Sequence, residues 1–319
     1  MALLSVLVGQ LLFYLIILQT GIVECLNTDP MLLYPLPLGG IIGSFVAALI
    51  PHKKATLEIA LLLILEVVTA YYYPHYGLGI LFLSGYIAGH LMPLLLRLFN
   101  SDNLAYLAVG LISAYIIGTL LYGYPCMERR WIALLLSTLS LIMYLVFISF
   151  EKWDAIDTNL GSVEWFSVGL IVSWIFLDTA LFQTLSESSN MNIWSSYHYT
   201  ICLGHTLGIL FAFWLKRTLE NEWFSVLILF VLSYVIYVEE IPQLLAIVYP
   251  FTISYYNFLV FKKLVNLKNT YLLALYMLAG GWVASAIGEW VAMQHIAFIV
   301  FLSFCSFATL GIIFRRRFA

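Results

Sequence analysis

Apolar stretches of about 20 residues follow one another along nearly the whole chain, parted by short breaks of charged residues, Pro and small polar residues. A helix needs about 20 mostly apolar residues to cross a bilayer. Cutting at the breaks predicts twelve spans, at 2–21, 31–50, 55–73, 76–98, 103–122, 131–150, 166–185, 196–215, 223–238, 242–261, 271–290 and 293–313. The narrowest breaks are Glu239, Glu240 and Pro242, and the stretch from Glu289 to His295. The first apolar stretch lacks a basic leader and an A-x-A-like site, so it reads as a membrane helix and not a removed signal peptide. No loop is long enough to fold alone. The longest polar connection runs from Glu151 to Trp165, near the middle of the chain. It divides the chain into a six-helix half at 1–150, a connection at 151–165 and a second half at 166–319.

The basic residues test this count independently. With the N-terminus in the cytoplasm and the sides alternating, all 14 Lys and Arg residues except Arg129 and Arg130 fall inside. So strong a positive-inside bias sets both termini in the cytoplasm and requires both narrow breaks, because losing one span reverses everything after it.

Composition narrows the class. The 319 residues are 63% hydrophobic and 10% charged, with a mean hydropathy of +0.99. Soluble domains hold about 45–50% apolar and about 25% charged residues. A soluble globular enzyme, a disordered chain and a nucleic-acid-binding module are therefore excluded. The aromatic content of 16% suits Trp and Tyr placed at membrane interfaces. The four Cys form no CxxC pair. Cys25, His75, Cys126, Met127, Met191, Met293 and His295 all map to outer loops or helix ends, where soft ligands would collect a soft metal. If the outer compartment is oxidising, Cys25 and Cys126 would form a disulfide instead. Tight loops without an N-x-S/T acceptor favour a bacterial inner membrane.

The two halves correspond at an offset of about 165 residues. Gly39-x-x-x-Gly43 in span 2 matches Gly204-x-x-x-Gly208 in span 8, each shortly before a basic pair, Lys53-Lys54 and Lys216-Arg217. Arg97 closes span 4 as Lys262 closes span 10. Six helices per half is an even number, so the repeats run parallel, related by an axis along the membrane normal. In this arrangement the chain resembles the major facilitator superfamily over its whole length. From Gly43 to Lys53-Lys54 it keeps the glycine and the basic end of that family's signature, but has no Asp-Arg. The resemblance implies an all-α membrane protein of twelve helices in two parallel six-helix repeats. It also implies a central cavity lined by helices 1, 4, 7 and 10, and alternating access by rocking.

A charge at membrane depth is costly, which makes it a functional candidate. Asp178 lies about 18 Å from the inner end of span 7, near the midplane, and suits a proton carrier. His198, Cys202 and His205 form one stripe on span 8, within an arc of about 60°. With Asp178 they would make a transition-metal site, or His205 beside Asp178 would make a proton relay. Glu66 lies near the midplane of span 3, with Glu58 on the same face nearer the inside. His90 precedes Pro93 in span 4, where a kink would hinge a gate. Gln10, Gln183 and Asn257, with Tyr255 and Tyr256, would supply hydrogen bonds to a solute. No Lys or Arg sits near the midplane, which favours a cationic, neutral or metal substrate over an anionic one.

These residues lead to a secondary transporter of a small cationic or neutral solute, proton-coupled through Asp178. One alternative is a transition-metal transporter using Asp178, His198, Cys202 and His205. Another is an assembly subunit without transport, or an intramembrane enzyme, although no HExxH, Ser–His or di-acidic motif supports catalysis. The expected partners are the bilayer, the solute and protons, with no nucleic acid. No resident cofactor is expected; a metal would enter only as substrate.

Overall fold

The computed structural model describes residues 2–26, 32–49, 55–98, 104–150, 162–188, 190–267, 269–294 and 301. All regular structure among these residues is helical. The first helix, α1 (2–26), begins as Ala2–Phe13, widens into a π-helical stretch over Tyr14–Gly21 and closes as Ile22–Leu26. Next come α2 (Pro35–Leu49), α3 (Ala55–Tyr72), α4 (Leu78–Leu98) and α5 (Leu104–Tyr122). A tight turn at Cys126–Arg129 leads into α6 (Arg130–Phe150). Then follow α7 (Trp165–Glu187), α8 (His198–Leu215), α9 (Trp223–Val238) and α10 (Pro242–Asn266). The last, α11 (270–293), is again interrupted by a π-helical stretch, at Met277–Ala284.

Among the described residues nine of these helices are long and apolar enough to cross a membrane, and α2 and α9 are shorter apolar helices. The chain is an all-helical, integral, multi-pass membrane protein. Its surface agrees with that. Leu57, Leu61, Ile64, Leu65 and Val68 of α3 are all exposed, which is how a lipid-facing side looks. Exposed aromatics mark both ends of the helices: Trp131, Tyr199 and Trp290 at one, Trp165 and Trp214 at the other. Two such belts sit at the two membrane–water interfaces.

Eleven of the sequence-derived spans correspond to separate helices. The twelfth, 293–313, falls almost wholly outside the described residues, as do His295 and positions 151–161 of the central connection. Glu240 breaks α9 from α10 with a left-handed backbone (φ 54°), and Pro242 starts α10. Glu289, read from sequence as the start of a break, instead lies inside α11. One carboxyl does not end a helix when its backbone bonds continue through it.

Helix packing turns on glycines. Gly39 and Gly43 of α2 lie directly against the backbone carbonyls of Phe82 and Tyr86 on α4, where a Cβ would collide. Gly204 and Gly208 of α8 meet the carbonyls of Ile247 and Phe251 on α10 in the same way. Each of the four carbonyls and each of the four glycines matches its counterpart at the offset of about 165 residues seen in the sequence. The first six helices meet the rest mainly through α2 against α11 and α5 against α8. At one end of the bundle a disulfide joins Cys25 to Cys126. At the opposite end Lys263 bridges Glu164 and Glu220.

Candidate functional site

A cavity of about 230 Å³ lies between the two groups of helices. Residues of α1, α3, α4 and α5 wall one side, and residues of α7, α8, α10 and α11 the other. Helices α1, α4, α7 and α10 all contribute, as the resemblance implied, but α5 and α11 contribute as much. Among the described residues no Lys or Arg lines it.

On the α7 side stands Asp178. Tyr249 donates from its hydroxyl to Asp178 Oδ1 at 2.7 Å and to the Asp178 backbone carbonyl at 2.9 Å. Tyr256 donates to Oδ2. Tyr249 and Tyr256 are seven residues apart on α10, two turns along one face, so both hydroxyls reach the same carboxyl. Asn257 donates to the Tyr115 hydroxyl at 2.8 Å. The Tyr115 ring stacks on His205, with centroids 4.4 Å apart and planes 9° from parallel. His205 Nδ1 is 2.6 Å from Ser254 Oγ. Asp178, His205 and Asn257 therefore belong to one aromatic, hydrogen-bonded wall.

Across the cavity stands Glu66 on α3. Gln10 of α1 donates to Glu66 Oε2 at 2.7 Å, and both residues are buried and line the cavity. One turn beyond Gln10 on the same face, Tyr14 meets Trp282 of α11 edge-on at 6.1 Å. Both rings lie in the π-helical stretches of their helices. The extra residue of such a turn leaves carbonyls without their regular partners, and π-helical turns gather at functional sites. Here Thr20 donates to the carbonyls of Leu15 and Ile16, and Arg129 donates to Ile16 as well.

Three residues expected to bind solute or protons lie off the cavity: His90, Gln183, and Tyr255, whose hydroxyl donates to Glu222 at 2.6 Å. His90 is a fully buried residue of α4 that faces α3, with Nδ1 3.1 Å from the Tyr86 hydroxyl and Nε2 3.8 Å from Glu58. Gln183 donates to Glu187 at 2.7 Å on the outer part of α7.

The metal set needs correcting. Among the described residues no three His, Cys, Asp or Glu side chains gather closely enough to hold an ion. His198 faces Gly123 at the end of α5. Cys202 turns to the Ile116 carbonyl, 4.0 Å away. His205 and Asp178 are held by hydroxyls on α10. A shared stripe on one helix is not a shared point: His198 and Cys202 turn towards α5, while His205 turns towards α10. Of the soft outer residues, Cys25 and Cys126 are spent on each other and Met191 is packed in the core.

Tyr249, Tyr115 and Tyr14 escaped the sequence reading. Tyr249 carries a signal in hindsight, its two-turn spacing to Tyr256. Tyr115 and Tyr14 carry none, since Tyr is abundant in this chain. Fold and site together define a multi-pass helical membrane protein with a carboxyl-bearing aromatic cavity. No family model matches the sequence, and no curated protein matches it.

Proposed function

We propose that the chain is a secondary transporter of the major facilitator type. Twelve spans in two parallel six-helix repeats move a small cationic or neutral solute by alternating access, coupled to protons through Asp178. The carrying observation is that the Asp178 carboxyl joins two cavity-lining helices, α7 and α10, by tyrosine hydroxyls on both of its oxygens. Ionised, it accepts from both Tyr249 and Tyr256 of α10. Protonated, one oxygen becomes a donor and the tyrosine hydroxyl facing it must turn to accept. Proton uptake thus rearranges the hydrogen bonds between α7 and α10 beside the solute, which gives coupling a local handle.

The matched glycine–carbonyl contacts support the repeat. A two-fold axis through the bundle would carry α2 to α8 and α5 to α11, so the α2–α11 and α5–α8 contacts are the pairs it would make equivalent. The disulfide and the Lys263 cluster lie at opposite ends. An oxidising outer compartment and a basic inner face fit a bacterial inner membrane with cytoplasmic termini. Scattered donors favour an organic solute over a metal ion.

The test is proton flux into proteoliposomes carrying an internal pH dye, with a panel of small amines and neutral solutes added outside. The wild type should couple at least one solute to proton movement. Asp178→Asn should lose that flux and keep solute exchange. Unchanged proton movement in Asp178→Asn sinks the coupling role.

A further inference from the structure

The cavity holds two carboxyls in unlike states, and the difference assigns them different tasks. Both oxygens of Asp178 are taken by tyrosine hydroxyls. Glu66 receives a hydrogen bond on one oxygen alone, from Gln10. Among the described residues no cation pairs with it. Nearby on α4, Ser84 is 3% exposed and lines the cavity. Tyr76 neighbours both Ser84 and Glu66, and its hydroxyl interacts with that of Ser84, a pairing that leaves acceptor lone pairs on the two oxygens. Thr69, one turn from Glu66, also lines the cavity. Its hydroxyl is satisfied as a donor by the Glu66 carbonyl and keeps its lone pairs free.

We propose that Glu66, Ser84 and Thr69 form the recognition site for a primary ammonium group, and that the substrate is a small organic amine with an apolar or aromatic body. A primary ammonium has three N–H donors and no acceptor. One carboxylate oxygen and two hydroxyl oxygens are the complement it needs, and no lysine or arginine competes for them. The Tyr14–Trp282 pair stands one helical turn from Gln10 and offers ring faces to the body or to the cation itself. The volume of about 230 Å³ is below the about 300–1,000 Å³ of drug-sized pockets, which limits the body to about one ring. This proposal rests on the transporter reading for its physiological meaning, but the site is defined by binding alone.

The test uses the full-length protein in nanodiscs and measures binding of benzylamine, benzyltrimethylammonium and benzyl alcohol by calorimetry. Benzylamine should bind best. The quaternary analogue lacks N–H donors and should bind about tenfold or more weakly, as should the uncharged alcohol. Glu66→Gln should weaken benzylamine by about tenfold or more and Ser84→Ala by a few fold, while Glu239→Gln, exposed and outside the cavity, should leave it within about threefold. Glu66→Asp, which keeps the charge, should recover part of the loss and stands in if Glu66→Gln does not fold. Failure of the wild type to bind benzylamine overturns the proposal. So does equal binding of the alcohol, or loss in Asp178→Asn with Glu66→Gln unaffected. Binding that behaves as expected without benzylamine exchange in proteoliposomes would leave the site standing and sink the transporter reading.

Discussion

Arg129 shows how much one side chain can hold. The sequence places it at a span end, where a basic residue normally reaches for water. Instead it is 1% exposed. Its guanidinium donates to the carbonyls of Tyr124, Ile16 and Tyr122, to the Thr20 hydroxyl and to Glu24 at 2.7 Å. Only the planar five-donor fork of arginine serves so many acceptors at once. One of them, Ile16, lies in the π-helical stretch of α1 that carries Tyr14 into the cavity wall. Replacing Arg129 with Gln should cost about 1–3 kcal/mol for each buried carbonyl left unpaired, read as a lower Tm of the purified protein. Glu24→Gln should cost less than about 1 kcal/mol, because the Glu24 side chain is half exposed. Equal losses from the two variants would mean that the ion pair matters more than the carbonyls.

At the scale of the helices, stability depends on backbone contact more than on side-chain volume. Gly43 and Gly208 each face a carbonyl of the neighbouring helix, and a carbonyl cannot move aside as a flexible side chain can. Gly43→Val and Gly208→Val should each lower stability by about 1–3 kcal/mol, the usual cost of overpacking. Gly169 of α7 has open space around its missing Cβ. Gly169→Ala should therefore leave Tm unchanged or raise it, by up to about 1 kcal/mol of helix propensity. A thermal-unfolding series in one detergent checks all three; a harmless Gly208→Val would contradict the close α8–α10 contact. These glycines were legible in the sequence because a small-xxx-small pair speaks for a helix face. So were the breaks around Glu240, because Pro and paired charges act on the local backbone. What each polar face meets was not legible. Cys202 and His205 share a stripe, yet one turns to α5 and the other to α10 and the cavity. That outcome depends on how α8 is rotated against both neighbours, which no single helix encodes.

Across the whole molecule, the end opposite the disulfide is tied by charge. Lys263 of α10 reaches Glu164 at 2.5 Å and Glu220 at 2.8 Å, and Ser167 of α7 donates to Glu220 at 2.6 Å. Tyr276 of α11 adds a hydrogen bond to the Glu164 carbonyl. Burial pushes the Glu220 carboxyl up, but Lys263 and Ser167 more than offset this and hold it down at about 2. The hydrogen bond from Lys263, with that from Ser167, holds Glu164 below its ordinary value too. Folded, these groups give up their protons at lower pH than in the unfolded chain. Their stabilisation is thus complete above about pH 4.5 and fades as pH falls towards about 2. The Tm gap between the wild type and Glu220→Gln should stay flat from neutral pH down to about 5 and narrow below about 4.5. A gap that widens in acid would show that the cluster does not stabilise through its charges.

The bond between Cys25 and Cys126 also carries a consequence in time. The two cysteines are 101 residues apart, with α2 to α5 between them. A ribosome adding about 5–20 residues per second needs roughly 5–20 s to make that stretch. During that interval Cys25 stands as a single thiol at the membrane surface, open to any oxidant or stray partner. The bond that closes α2 to α5 into a loop is therefore also a checkpoint of manufacture. It can form correctly only after four more helices have been made and packed in the right order.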